Sequence, residues 1–238
     1  MPNTYFQFKQ FTIHQDECAM KVCTDACILG AWFAEKVPNH AAILDIGSGT
    51  GLLMMMLAQK SKAVIHGIEL DITCFRQLKK NISQNIWKER LKAFPGDVRA
   101  YSFPGKYDFI ISNPPFFEND LAPQNEENKV ARHSRELSLN ELIDVIDRNL
   151  SDHGAFGILL PFDRWEYFNK MTGTKNFHLS ETLFIKHSPS HEFSRAILHY
   201  SRNKENYIPE FEMSMHKQDD TGYTEEFVDL LKDYYLYL

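Results

Sequence analysis

Four short stretches carry residue types from which a site is built. Ile43-Leu44-Asp45-Ile46 is an apolar run of strand length that ends in a glycine-dense turn, Gly47-Ser48-Gly49-Thr50-Gly51. Glycines at alternate positions let a backbone turn tightly and approach a ligand where a Cβ would clash. A helix is expected from Leu52 to about Lys60, and its first N–H groups suit an anionic group. The spacing is G-x-G-x-G, whereas a nicotinamide fingerprint places its third glycine one residue later. A second apolar run, Ala63 to Ile68, ends in Glu69, at the distance where an acid binds ribose hydroxyls. Asp97 follows a third short strand, and Asn113-Pro114-Pro115-Phe116 follows a fourth. Two consecutive prolines cannot continue a sheet ladder, so that motif sits at a strand's end. Open α/β sheets place their ligands at this carboxyl edge.

The bulk properties set limits around these stretches. A chain of 238 residues that is 43% hydrophobic and 24% charged has the composition of a globular domain with a sizeable core. It lacks an apolar run near the ~18–20 residues of a membrane span. Its polar, aromatic start differs from a signal peptide, so a cytoplasmic location is expected. The four cysteines, Cys18, Cys23, Cys27 and Cys74, lack the paired spacing of structural zinc sites and read as buried thiols of a reducing compartment. A formal net charge of −6 argues against indiscriminate binding to nucleic acid but leaves room for a local basic face.

The elements that must position the motifs follow in order. Residues 5–15 alternate apolar and polar, which predicts a strand or hairpin, with Lys9 on its outer side. A helix from Lys21 to about Glu35 follows, with Thr24 or Asp25 as N-cap. Ile72 to about Gln84 is a helix with Phe75, Leu78 and Ile82 inward. The polar connection 117–136 has a cationic second half, Lys129, Arg132, His133 and Arg135. Ser138 caps a helix running to about Leu150. A fifth strand at 154–160, a helix near 164–171 and two strands at about 178–187 and 194–201 complete the pattern. Tyr207 to Met215 is a strand or arm, and Thr224 to Tyr235 an amphipathic terminal helix.

Taken together, Asp45-Ile-Gly-Ser-Gly-Thr-Gly51, Glu69, Asp97 and Asn113-Pro-Pro-Phe116 resemble the S-adenosylmethionine-dependent methyltransferases of exocyclic amino groups. Phe8-Lys-Gln-Phe-Thr-Ile-His-Gln-Asp16, Met20-Lys-Val-Cys-Thr-Asp25 and Lys232-Asp-Tyr-Tyr-Leu-Tyr237 narrow the resemblance to the bacterial tRNA(Val) adenine-N6 methyltransferases. The likeness covers nearly the whole chain. It implies a Rossmann-like α/β fold: a seven-stranded class I methyltransferase sheet with helices on both faces and a short N-terminal hairpin. One domain over 1–238 is expected, with a lid and helix at 1–40, a catalytic core at 41–202 and an arm and helix at 203–238.

The resemblance also implies roles. S-adenosyl-L-methionine would be bound by Thr24, Asp25, Asp45, Gly47, Gly49, Gly51, Glu69, Asp97 and Asn113. The reaction would fall to Asn113, Pro114, Pro115 and Phe116. An adenine amine is a poor nucleophile because its lone pair is delocalised into the ring. The Asn113 side-chain oxygen and the Pro114 carbonyl are suitable acceptors for its two hydrogens, and Phe116 offers a face for a flipped base. No metal and no covalent nucleophile are required. Lys9, Lys129, Arg132, His133 and Arg135 are candidates for RNA phosphates. The expected partner is a tRNA, with no membrane and with the chain working as a monomer. The same motif serves enzymes acting on ribosomal RNA, DNA adenine or protein glutamine, so the acceptor stays open at this point. A non-catalytic nucleotide-binding module is a more distant reading.

Overall fold

A computed structural model of the chain describes residues 3–115, 137–218 and 221–238. Strands β1 (Tyr5–Gln7) and β2 (Thr12–His14) form an antiparallel hairpin. Helix α1 (Thr24–Ala34) leads into β3 (Ala42–Ile46), α2 (Leu52–Lys60), β4 (Val64–Glu69), α3 (Ile72–Ser83), β5 (Leu91–Pro95) and β6 (Tyr107–Ser112). Beyond residue 136 come α4 (Leu139–Asn149), β7 (Leu150–Pro161), α5 (Trp165–Gly173), β8 (His178–Lys186), β9 (Phe193–Ser201), β10 (Glu210–Ser214) and α6 (Glu225–Leu231).

The large sheet has the order β10-β8-β9-β7-β6-β3-β4-β5, and β9 alone runs antiparallel to its neighbours. The seven strands from β3 to β9 give the expected methyltransferase sheet. The segment read as a strand or arm adds an eighth, β10, parallel to β8. From β3 the chain builds outward through β4 to β5, then returns to place β6 on the other side of β3. That reversal opens a crevice between the ends of β3 and β6, the switch point where such sheets bind ligands.

Alternation along the strands divides the core between two faces. Ile43, Phe109 and Ile111 pack with α1, α2 and α3. Leu44, Ile46 and Ile110 pack on the other side with α4 and Phe168 of α5. Gly157 on β7 is needed for contact, since a Cβ there would enter the Phe33 ring of α1. Among the described residues no helix is long and apolar enough to cross a membrane.

Several local expectations are corrected. The N-cap of α1 is Cys23, without a side-chain bond, so Thr24 and Asp25 are the first helical residues rather than caps. Cys18 and Cys74 are joined as a disulfide, leaving Cys23 and Cys27 as thiols. Helix α6 stops at Leu231 because Tyr234 turns inward and donates its hydroxyl to the Met56 carbonyl at 3.1 Å. Ser138 does cap α4, in a reciprocal box with Glu141.

The buried face of α3 is partly polar, which its apolar spacing did not announce. Gln77 and Asn81 lie inward with Leu78 and Ile82, while Phe75 is only half-buried. Asn81 accepts the His14 N–H at 3.1 Å and donates to the carbonyls of His14 at 2.8 Å and Thr50 at 2.9 Å. It thereby ties the hairpin to the glycine turn. Asn81→Ala leaves one N–H and two carbonyls unpaired in a buried place, and the expected loss of stability is about 2–3 kcal/mol. Chemical denaturation checks it; a loss under about 0.5 kcal/mol would show that water replaces the side chain.

Candidate active site

The carboxyl ends of β6, β3, β4 and β5 are held level, and this alignment builds the site. Ile46 pairs with Ser112 and with Ile68, and Glu69 pairs with Pro95. The residues that follow each strand are therefore neighbours, about 4.8 Å apart from strand to strand. The buried Ser112 hydroxyl donates to the Ile46 carbonyl at 2.9 Å and sets Asn113 beside Gly47.

All three turn glycines adopt φ values that other residues rarely take: +74° at Gly47, +52° at Gly49 and +89° at Gly51. A Cβ at Gly51 would lie 2.6 Å from Leu78, whereas one at Gly47 or Gly49 would meet nothing within 4 Å. At the first two positions the backbone conformation sets the need for glycine, and the face they present is open. The N–H groups of Gly47 and Ser48 both donate to the Ile68 carbonyl, at 3.0 and 3.1 Å. Gly51 then N-caps α2.

Glu69 spans this turn. Its Oε2 accepts the Gly49 N–H at 2.8 Å and its Oε1 the Asp71 N–H at 2.9 Å. Each oxygen keeps a lone pair for a further donor such as a ribose hydroxyl. Asp71 caps α3 by accepting the N–H groups of Thr73 and Cys74. Leu70 and Ile72, which flank Asp71 next to Glu69, are apolar yet 51% and 53% exposed.

Asp45 is fully buried, and neither carboxylate oxygen has a hydrogen-bond partner among the described residues. Burial, with the negative charge of Glu69 adding to it, pushes its pKa up to about 8. An orphaned buried carboxylate beside an open glycine turn fits a ligand that brings its own donors or positive charge. Asp97, half-buried after β5, is gripped by Arg99: Nη2 lies 2.6 Å from Oδ2 and Nε 3.0 Å from Oδ1. That guanidinium holds the Asp97 carboxyl below the usual carboxylate range, so it remains an acceptor. Arg99 was missed in the sequence, although it stands only two residues beyond the acid.

Asn113 is half-buried and Pro114 buried, while Pro115 is exposed. Among the described residues the Asn113 side chain makes no hydrogen bond. Phe116 lies outside the described residues, as do Lys129, Arg132, His133 and Arg135.

Three other candidate residues meet different surroundings. Asp25 reaches the same sheet edge, but its carboxylate is taken by Arg195 of β9 at 3.0 Å. The Tyr235 hydroxyl lies near both Thr24 and the Cys27 thiol. Lys9 is not brought to the site. Its ammonium donates to the Lys232 carbonyl and lies near Asp233, which Lys60 also holds at the last residue of α2. That is the opposite end of α2 from the glycine turn. Among the described residues no three His, Cys, Asp or Glu are grouped to hold a metal ion.

A sheet of this order, with a glycine turn, two acids and Asn-Pro-Pro along one edge, defines a methyltransferase of the Rossmann-like class. Residues 27–155 match the family model described as Methyltransferase small domain. A predicted O-methyltransferase from Agrobacterium tumefaciens superposes with a TM-score of 0.66 at 16% identity, over 87% of this chain and 95% of that one. A protein from Listeria monocytogenes, described as a class I S-adenosylmethionine-dependent methyltransferase, gives 0.59 at 14% identity, over 84% and 67%. Both likenesses show the fold. A relative from Dyadobacter fermentans, named tRNA1(Val) (adenine(37)-N6)-methyltransferase, is 38% identical over 98% of each chain. The chain belongs to the tRNA1(Val) (adenine(37)-N6)-methyltransferase family.

Proposed function

We propose that this chain methylates the N6 amino group of adenosine 37, just 3′ of the anticodon, in a valine tRNA, with S-adenosylmethionine as donor. The observation that carries the reading is the seat of Asn113-Pro114 beside Gly47, across the Ser112–Ile46 hydrogen bond. It sets acceptors for an amine next to a turn suited to a nucleoside-bearing ligand. Family membership supplies the acceptor: the relative at 38% identity carries that activity in its name. The reading implies a cytoplasmic enzyme, where tRNA is modified.

The donor brings a methyl group already activated on a sulfonium, so alignment of the amine is the chain's main task. Glu69 would take the ribose hydroxyls, Asp97 the adenine amino group, and Asp45 the ammonium end or a water bound to it. Asn113 and Pro114 would each accept a hydrogen of the target amine, drawing its lone pair out of the ring. Phe116 would stack on the unpaired base; a loop nucleotide unstacks at low cost. The proton released by the methylated nitrogen passes to water.

The test is direct. Purified protein is incubated with S-adenosylmethionine and total tRNA from a strain lacking this gene, and digested nucleosides are weighed by mass spectrometry. New N6-methyladenosine, mapped to position 37 of a valine tRNA, is the expected result. Methyl transfer to ribosomal RNA or to a protein glutamine, with tRNA untouched, would replace the acceptor and keep the chemistry.

A further inference from the structure

We infer that Arg99 is a positioning residue that makes Asp97 selective for the donor's adenine amino group; the inference rests on the role proposed above for Asp97. Asp97 stands in a turn beyond the last residue of β5, where nothing in the strand fixes its side chain. Arg99 does so from two residues away. Its backbone N–H donates to Oδ1 at 2.9 Å, its Nε to Oδ1 at 3.0 Å and Oδ2 at 2.9 Å, and its Nη2 to Oδ2 at 2.6 Å. A carboxylate has about four lone-pair sites. Three N–H groups from one residue occupy both oxygens, fix the plane of the carboxylate and restrict the directions from which a further donor can be accepted.

The grip is anchored from behind. Arg99 Nη1 donates to Glu141 Oε1 at 3.1 Å. Glu141 is fixed in turn through Oε2, which accepts the Ser138 N–H at 2.9 Å and its hydroxyl at 2.7 Å. At the other end of α4, Arg148 donates to the carbonyls of Val98 at 3.0 Å and Arg99 at 2.9 Å. The turn that bears Asp97 is thus strapped to α4 at both its first and last turns. A planar guanidinium fork imposes direction as well as charge, which a lysine at position 99 would not.

A carboxylate held in one orientation at the proposed adenine site discriminates by one group, the 6-amino donor. The experiment compares S-adenosylhomocysteine with an analogue lacking only that amino group, each titrated calorimetrically into the full chain. Wild type is expected to favour the parent compound by about tenfold or more, the usual worth of a hydrogen bond to a charged group. In Arg99→Met the parent should weaken until the two bind within about threefold, with the analogue's affinity nearly unchanged. A residue of merely structural importance would weaken both ligands together and keep the ratio, and that result overturns the inference. Equal binding of both by wild type would remove the Asp97 reading itself. A ratio that survives in Arg99→Met removes only the part given to Arg99. Should that variant not fold, Arg99→Lys is read in the same way, since it keeps the charge and loses the fork.

Discussion

Asn113→Ala is expected to lower methyl transfer by about a hundredfold or more while affinity for S-adenosylmethionine stays within about threefold. The expectation follows from where the side chain sits. Asn113 is the first residue past β6, half-buried and without a hydrogen bond among the described residues, so its amide is available to a ligand. Its partner in the proposed reaction is an amine whose nitrogen must change geometry as it attacks. An acceptor that strengthens along that change acts on turnover rather than on binding. The cofactor contacts proposed above for Glu69, Asp97 and the glycine turn are not touched by the substitution. Single-turnover rates on a valine tRNA, set beside calorimetric binding of the donor, separate the two quantities. A near-normal rate would remove Asn113 from the chemistry. A lost rate with lost donor binding would make it a structural support of the turn.

The frame of this site was legible because its signals are local. Gly47, Gly49 and Gly51 declare a backbone that side-chain residues rarely adopt, and the structure has all three at positive φ. Apolar runs of strand length leading to Gly47, Glu69, Asp97 and Asn113 marked the sheet edge, since Glu69 ends β4, Asn113 follows β6 directly and Asp97 stands two residues past β5. The features that stayed hidden depend on pairings distant in sequence. Asp25 meets Arg195, 170 positions away, so nothing near it distinguished a cap from an ion pair. Gln77 and Asn81 look like surface residues of α3 until the Glu17 N–H meets the first and the hairpin residue His14 the second. The edge role of β10 required knowing that β8 had a free side. Lys9 showed a charge, but not that its ammonium meets the Lys232 carbonyl near the end of the same chain.

Asp45→Asn is expected to stabilise the ligand-free protein and to weaken its hold on the donor. The buried carboxyl has a pKa of about 8 against an ordinary value of 3.8. Below pH 3.8 the group is protonated whether the chain is folded or not, and it has no differential effect. Above that value the unfolded chain ionises while the folded one keeps its proton. The group therefore draws down stability progressively as pH rises from about 4 to about 8. Asparagine has no proton to lose, so its advantage over the wild type should be small at pH 5 and grow to the order of a few kcal/mol at pH 8. Melting curves at the two pH values measure this; an advantage that does not grow with pH would place Asp45 in contact with water. Binding should show the opposite face of the same group. A ligand that brings a cation or donors to Asp45 restores its charge, so the wild type is expected to release a proton on binding at pH 7. Calorimetry in buffers of differing ionisation enthalpy reads that proton directly. In the variant the release should vanish and the donor should bind about tenfold more weakly. The instability of an ionised Asp45 in the free protein is then the counterpart of its use: a carboxylate left unpaired by the fold is one that a ligand can pair.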